Sequence, residues 1–249
     1  MSAAVEGAAT SARLLGEPLS ASSIEREHLP GTTLDSLSGS KVVLRPFTWE
    51  DVARRAAWPA YVPPEFLELN VDLSTEVRRR EWFRQRTRQR GPFWFAVENL
   101  QGELVGEVTL RDIDREAGSA RLGIHLSAAH VDRGYGTDAV RVTMRYLFDC
   151  LHFSEIRLDV AAWNRRAIHC YEKCGFEVRY PFWRYHGQVH QMLKDERFTH
   201  IRPYVRLDGG IEMMKYWEMT VSVERYRQLG CKDSSRSGGS AGQTEERDA

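Results

Sequence analysis

From Val42 to Phe47 the chain reads as a strand, and Thr48-Trp49-Glu50-Asp51 behind it reads as a helix N-cap with acidic first-turn residues. A second helix is expected over about Thr75 to Arg88. Phe93 to Val97, Leu104 to Ile113 and Ala120 to Leu126 read as three strands, separated by turn-forming stretches at Asn99 to Gly102 and around Gly118. Connections this short predict an antiparallel meander. The period then changes. Val140, Met144, Leu147, Phe148 and Leu151 recur at helical spacing, whereas Ile156, Leu158 and Val160 alternate with Arg157 and Asp159 as in a strand. A helix opening at Asn164, a strand from about Phe176 and a late strand from Ile211 to Val221 complete the pattern. The predicted fold class is α/β (α+β), a mixed and mostly antiparallel central sheet with flanking helices.

Residues 1–38 and 231–249 are rich in small and polar residues without a period, and are expected to be disordered extensions around one domain, 39–230. A hydrophobic content of 42% with seven tryptophans is enough for a substantial core. Thirty-five basic residues balance 35 acidic ones, so no global field favours DNA, RNA or an anionic membrane. There is no signal-peptide pattern and no apolar run long enough for a transmembrane helix, so a cytoplasmic protein is expected. The four cysteines form no zinc-like double pair; Cys170 and Cys174, one helical turn apart, suit packing as reduced thiols.

The chemistry concentrates in two segments. Val131-Asp132-Arg133-Gly134-Tyr135-Gly136-Thr137-Asp138-Ala139 is a glycine loop that opens into an amphipathic helix, where bare N–H groups and the helix dipole favour an anion. Gly134 and Gly136 remove side chains where a pyrophosphate would approach the backbone. Thirty residues on, Asn164-Arg165-Arg166-Ala167-Ile168-His169-Cys170-Tyr171-Glu172-Lys173-Cys174-Gly175-Phe176 is an Asn-led helix carrying a tyrosine and ending in Lys-x-Gly-Phe. Together they resemble motifs A and B of the GNAT superfamily of N-acetyltransferases, over roughly residues 40 to 228, and lean toward the branch acting on ribosomal-protein N-termini and polyamines. The family's leading Gln or Arg is replaced by Val131, which removes one polar contact but not the N–H cradle.

The resemblance implies acetyl-CoA as co-substrate and a small-molecule or peptide amine as acceptor; no metal and no DNA or membrane partner is expected from the residues and the charge balance. Leu126, Asp132, Arg133, Gly134, Tyr135, Gly136, Thr137, Asn164 and Ala167 would bind the cofactor. Backbone N–H groups of Gly123-Ile124-His125-Leu126 would polarise the carbonyl, as in other oxyanion holes; Gly123 there marks either a bulge or close backbone packing. Tyr171 lies seven residues after Asn164, about 700° of helical rotation, so both face one way. Tyr171 is the candidate general acid for the departing thiolate. Asn164 would contact the pantetheine arm, cap its helix, or both. For the general base, Glu107 and His125 are ranked together beside ordered water; Asp112 lies on the same strands.

Trp58-Pro59-Ala60-Tyr61 and the long segment 181–206 are candidate walls of an aromatic acceptor pocket. Seven arginines from Arg78 to Arg90 form an anion- or RNA-facing surface or, more commonly, a solvated helix face. His186 and His190 have metal-like spacing, but Gly187 argues against the helix they would need. Two other functions fit parts of the pattern. Gly134 to Ala139 satisfies the dinucleotide-binding G-x-G-x-x-G/A, with Asp159 twenty residues on, although residues 127–133 separate the strand from the first glycine. An acyl-CoA-binding regulatory module without turnover is the other.

Overall fold

A computed structural model describes residues 36–90, 93–187 and 189–229. The expected extensions lie outside the described residues, except that Leu37 and Ser38 form a short strand against Val43 and Leu44. The elements are β1 (Leu37–Ser38), β2 (Val42–Pro46), α1 (Glu50–Ala56), α2 (Glu76–Arg90), β3 (Trp94–Asn99), β4 (Leu104–Asp114) and β5 (Ser119–Leu126). They continue with α3 (Tyr135–Arg145), β6 (Glu155–Ala161), α4 (Arg165–Lys173), β7 (Glu177–Tyr185), α5 (Val189–Lys194), β8 (Val205–Asp208) and β9 (Ile211–Ser222). A π-helical turn, Tyr146–Cys150, extends α3.

The strands form one sheet in the order β1-β2-β3-β4-β5-β6-β9-β7. Among the described residues every pairing is antiparallel except β5 with β6. β8 takes β9's edge beyond the end of β6. The meander predicted from Phe93 to Leu126 is β3-β4-β5.

Strand alternation divides the core. Phe95 and Val97 of β3 pack with Val140, Met144, Leu147 and Phe148 on the α3 face, while Trp94 and Ala96 pack with Val52 and Trp82 on the α1/α2 face. A register shift between Val97 and Glu98 accommodates the extra residue Val105, so Val105 and Val108 both reach the α3 face. Glu107 and Thr109 are thereby turned toward α1 and α2, and both are buried.

Two local expectations change. α1 is not capped by the Thr48 side chain; Asp51 instead accepts from Thr48 N–H (2.9 Å) and Oγ1 (3.2 Å). Asp51 also binds Arg45 in two-pronged fashion (2.7 and 2.6 Å), which ties α1 to β2. Segment 181–206 is not one long connection: residues 181–185 continue β7, and α5 packs Val189 and Met192 against Met214 of β9.

Candidate active site

β5 and β6 pair only from Ser119↔Glu155 to Arg121↔Arg157. Beyond that β5 stays with β4 as far as Leu126, and β6 stays with β9 as far as Ala161. The sheet therefore splits. A cavity of 670 Å³ opens in the split, lined on one side by Ile124, His125 and Leu126 and on the other by Asp159, Val160 and Ala161. Ser127 N–H donates to Val105 O at 2.9 Å, so by alternation Ile124 and Leu126 turn their N–H groups to the edge that β6 has left. The hydroxyl of Tyr61 reaches that edge, donating to Leu126 O at 2.9 Å.

The start of α3 forms a second wall. Gly134 holds φ +83 and Asp132 φ +59, a left-handed pair that folds the loop back on itself. The first intrahelical bond runs from Asp138 N to Gly134 O (3.1 Å). The N–H groups of Gly134, Tyr135, Gly136 and Thr137 thus have no protein acceptor among the described residues, as the first turn of a helix requires. Gly136 is buried, and a Cβ there would stand 3.2 Å from Leu126 Cδ1 and 3.7 Å from Cys170 Sγ. Its smallness serves the approach of α3 to the split as much as access to a ligand. Asp138 anchors the turn, accepting from Lys41 N (2.6 Å), Val42 N (3.0 Å) and Ser40 Oγ (2.9 Å).

α4 closes the far side. Asn164 caps it, its Oδ1 accepting from Ala167 N at 3.1 Å, and Asn164, Ala167 and Tyr171 all line the cavity. Tyr171 is only 8% exposed, and its hydroxyl makes no hydrogen bond to a described residue. Burial, with Cys170 and Cys174 alongside, raises its phenol well above the ordinary value. It remains a neutral O–H throughout the physiological range.

Of the expected cofactor residues, Leu126, Asp132, Gly134, Gly136, Thr137, Asn164 and Ala167 line the cavity; Arg133 and Tyr135 do not. Arg133 offers only its carbonyl, to Lys41 Nζ at 3.1 Å, and Tyr135 packs on the core and beside the His130 ring. Arg165, Arg166 and Lys173 also line it and were not assigned a role from sequence, though they stand inside the quoted motif. Tyr61 and Phe66 supply aromatic wall; none of the described residues of 181–206 does. Trp58 lies behind, donating to Leu104 O at 2.9 Å and meeting the His125 ring edge-on at 5.7 Å.

A second cavity of 280 Å³ lies on the α1/α2 face and shares Leu69, Ile124 and His125 with the first. Glu107 lines this one. Its Oε2 accepts from Trp94 Nε1 at 2.8 Å. Burial alone would raise its pKa, yet His125, Arg55 and Trp94 together hold the carboxyl below its ordinary range. Glu107 is thus an ionised anchor, poorly suited to take a proton itself. His125 Nδ1 stands 3.3 Å from Arg55 Nη2 and 3.5 Å from Glu107 Oε1, while its Nε2 is buried without a protein partner. Nδ1 can accept from the guanidinium or donate to the carboxylate, and only the second leaves Nε2 bare. Gly123 marks close packing, not a bulge: the register runs unbroken through Gly123↔Thr109, and a Cβ would lie 2.7 Å from Thr109 Oγ1.

No group of three or more His, Cys, Asp or Glu with metal-site geometry occurs among the described residues. His186 bonds Glu68 at 3.0 Å ahead of α5, so it shares no helix face with His190. No helix among the described residues is long and apolar enough to cross a membrane. On α2, Arg80 pairs with Glu76 and Arg84 with Glu81 on exposed faces, as a solvated helix does.

A mostly antiparallel sheet, split at its single parallel pair and flanked there by a helix N-terminus and an Asn-capped helix, defines the acetyltransferase class of fold. A dinucleotide-binding sheet is parallel, and Asp159 here is engaged by Arg121 and Arg184, which removes that reading. The chain belongs to the GNAT family: the family model "Acetyltransferase (GNAT) domain" matches residues 41–177, more than half of the 249. Spermidine N(1)-acetyltransferase of Vibrio cholerae is 35% identical over 82 residues, 33% of this chain and 47% of that protein. The kanamycin resistance protein of Rhizobium radiobacter is 41% identical over 51 residues, 20% of this chain and 47% of that protein. The chain thus spans under half the length of these curated relatives. Among solved structures, a spermidine N-acetyltransferase SpeG chimera from Vibrio cholerae and hSSAT covers 76% of this chain and 99% of its own, with TM-score 0.55 and 21% identity. A GCN5-related N-acetyltransferase from Brucella melitensis covers 83% and 86%, with TM-score 0.56 and 19% identity. At these identities the structures speak for the fold alone.

Proposed function

We infer that the protein transfers the acetyl group of acetyl-CoA to a primary amine by direct attack, without a covalent enzyme intermediate. The observation that carries this is the split between β5 and β6, which brings bare backbone donors, a helix N-terminus and a neutral buried phenol to one cavity. The cavity fits the co-substrate: four N–H groups without acceptors and the cations Arg165, Arg166 and Lys173 suit a pyrophosphate. Bound there, acetyl-CoA would supply an activated acyl group on a thiol leaving group. Ile124 and Leu126 N–H would hold the carbonyl oxygen as negative charge develops. The amine proton would leave through an ordered water, with His125 behind it: Nε2 is bare in the tautomer that gives its Nδ1 proton to Glu107, but it is closed to direct contact with the amine. As the carbon–nitrogen bond forms and the carbon–sulfur bond breaks, Tyr171 would give its proton to the thiolate. Arg55 and Glu107 act on His125 as positioning residues.

The spermidine acetyltransferase and the kanamycin resistance protein among the relatives favour a spermidine or an aminoglycoside as acceptor; a peptide N-terminus is the third candidate. The test is calorimetric titration with acetyl-CoA and, separately, with NAD, repeated on Gly134→Glu. Saturable acetyl-CoA binding lost in the variant, together with amine-dependent thiol release, is the expected result. Binding without thiol release across many amines would make the protein an acyl-CoA-binding module, and silence toward acetyl-CoA would overturn the reading.

A further inference from the structure

We propose that the acceptor amine carries an anionic group, a carboxylate or a phosphate, at its far end, and that Arg111 and Arg86 recognise it. The inference rests on the acetyltransferase reading, and takes the second cavity, which shares Leu69, Ile124 and His125 with the first, as the acceptor side of that site. Glu107, Thr109 and Arg111 succeed one another on one face of β4, with Gly123 and His125 opposite on β5, and together they floor this cavity. Its charges sort by partner. Glu107 faces Arg55 and His125, and Glu68 is held by His186 at 3.0 Å. Arg121, directly opposite Arg111 in the ladder, is taken by Asp112, Asp159 and Glu218. Arg184 is bound to Asp159.

Two cations remain. Arg111 has no hydrogen-bond or ion-pair partner among the described residues, and Arg86 has only the Trp82 ring, 5.7 Å away. Arg121 is already neutralised by its three carboxylates, which leaves Arg111 as the guanidinium of this facing pair open to an outside anion. The buried cation Arg55 of α1 lies at the Glu107 and His125 end of the same floor, with its Nε lacking a partner.

With the amine at the Glu107 and His125 end, a polycation lying along the floor would set its distal ammonium against Arg86 and Arg111, while the Glu68 carboxylate lies on the wall and is held by His186. An acceptor with a distal anion reverses the sign of that contact. Four residues of strand separate Glu107 from Arg111, about 14 Å between Cα atoms, so amine and anion are several bonds apart. Guanidinium groups bind carboxylate and phosphate alike through paired N–H donors, which is the shared chemistry here.

The test uses acceptors of matched length: ε-aminocaproate, its neutral amide, hexamethylenediamine and aminohexyl phosphate. Each is measured for binding to the CoA-loaded protein by calorimetry and for thiol release with acetyl-CoA. The acid or the phosphate should exceed the diamine on the order of tenfold or more in affinity and in kcat/KM, the scale of one charge-assisted contact. Whichever of the two is favoured identifies the anion. Arg111→Glu should invert the order, and Arg86→Ala should narrow it. Preference for the diamine, or an order untouched by Arg111→Glu, would overturn the inference. Failure of acetyl-CoA to bind is a separate result that sinks the acetyltransferase reading, and the binding arm decides the acceptor question even where turnover is slow.

Discussion

Tyr171→Phe separates chemistry from packing unusually well at this site. The phenol ring is buried beside Phe176 in the main core cluster, and phenylalanine keeps all of that contact. The hydroxyl it removes has no hydrogen-bond partner among the described residues, so no buried donor or acceptor is orphaned. Stability should therefore change by about 0.5 kcal/mol or less, well below the 1–3 kcal/mol for leaving a buried partner unsatisfied. The kinetic effect is of another order. A positioned general acid contributes about 10²–10⁴-fold. A thiolate leaves with less help than an alkoxide, because its conjugate acid has a pKa of about 8.5, so the low end applies. A loss of roughly tenfold to a hundredfold in kcat, some 1.4–2.7 kcal/mol of barrier, is expected. Thiol release at saturating acetyl-CoA, cofactor affinity by calorimetry and a thermal melt measure the three quantities on one preparation. Because burial raises the phenol, the basic limb of the wild-type rate profile should show no break near the ordinary tyrosine value of about 10. A kcat within about twofold of wild type would remove Tyr171 from the mechanism. A rate loss that comes with a lower melting temperature would reassign it to packing.

Other consequences follow from the same geometry. Gly134→Ala forces a side chain into φ +83, a strain of about 1–2 kcal/mol, whereas the 2.9 Å approach to Lys41 Nζ can be relieved by that flexible chain; urea unfolding should show about this loss. Asp138→Ala leaves the N–H groups of Lys41 and Val42 without an acceptor and should cost about 2 kcal/mol, with acetyl-CoA affinity falling as the turn loosens; an unchanged midpoint would refute its anchoring role. In Asp51 and Asp138, hydrogen bonds and, for Asp51, Arg45 outweigh burial, and in Glu107 the neighbours His125 and Arg55 do so; all three pKa values are lowered in the fold. The unfolded chain then binds more protons, so their stabilisation is complete above about pH 4–5 and lost as pH falls through the folded values. Melting temperature should drop on acidification below about pH 4, and Asp51→Asn should flatten that slope. Glu107→Gln should lower kcat far more than it raises KM, since it replaces a carboxylate, which can only accept from Nδ1–H, by an amide that presents either its oxygen or its NH2 and no longer fixes the His125 tautomer; an effect on KM alone would contradict this.

What was legible in the sequence was whatever a local period or a local backbone need writes into neighbouring residues. The alternation in Ile156 to Val160, the helical recurrence after the loop and Asn164 as a cap each depend on contacts within a few positions, and each stands as an element or a cap. The split between β5 and β6 is of another kind, because nothing in Gly123 to Leu126 shows where a partner strand will leave. The motif resemblance named that stretch as the source of backbone donors; periodicity did not. Arg133 and Tyr135 sit inside the motif yet point elsewhere, since a turn through two left-handed residues sends successive side chains to different sides, an arrangement invisible in spacing. The aromatic wall came from Tyr61 and Phe66 because β7 ran on through residue 185 and carried Trp183 away to lie under Arg206. Glu107 shows the limit most sharply. On sequence it was a carboxylate on an ambiguous strand face; one extra residue at Val105 turned it inward, and the partners waiting there, Arg55 from α1 and Trp94 from β3, changed its part from proton acceptor to fixed charge. The cofactor half of the site is local and therefore readable, whereas the acceptor half is assembled from four distant segments and its character is set by which charges are left over once the others have paired.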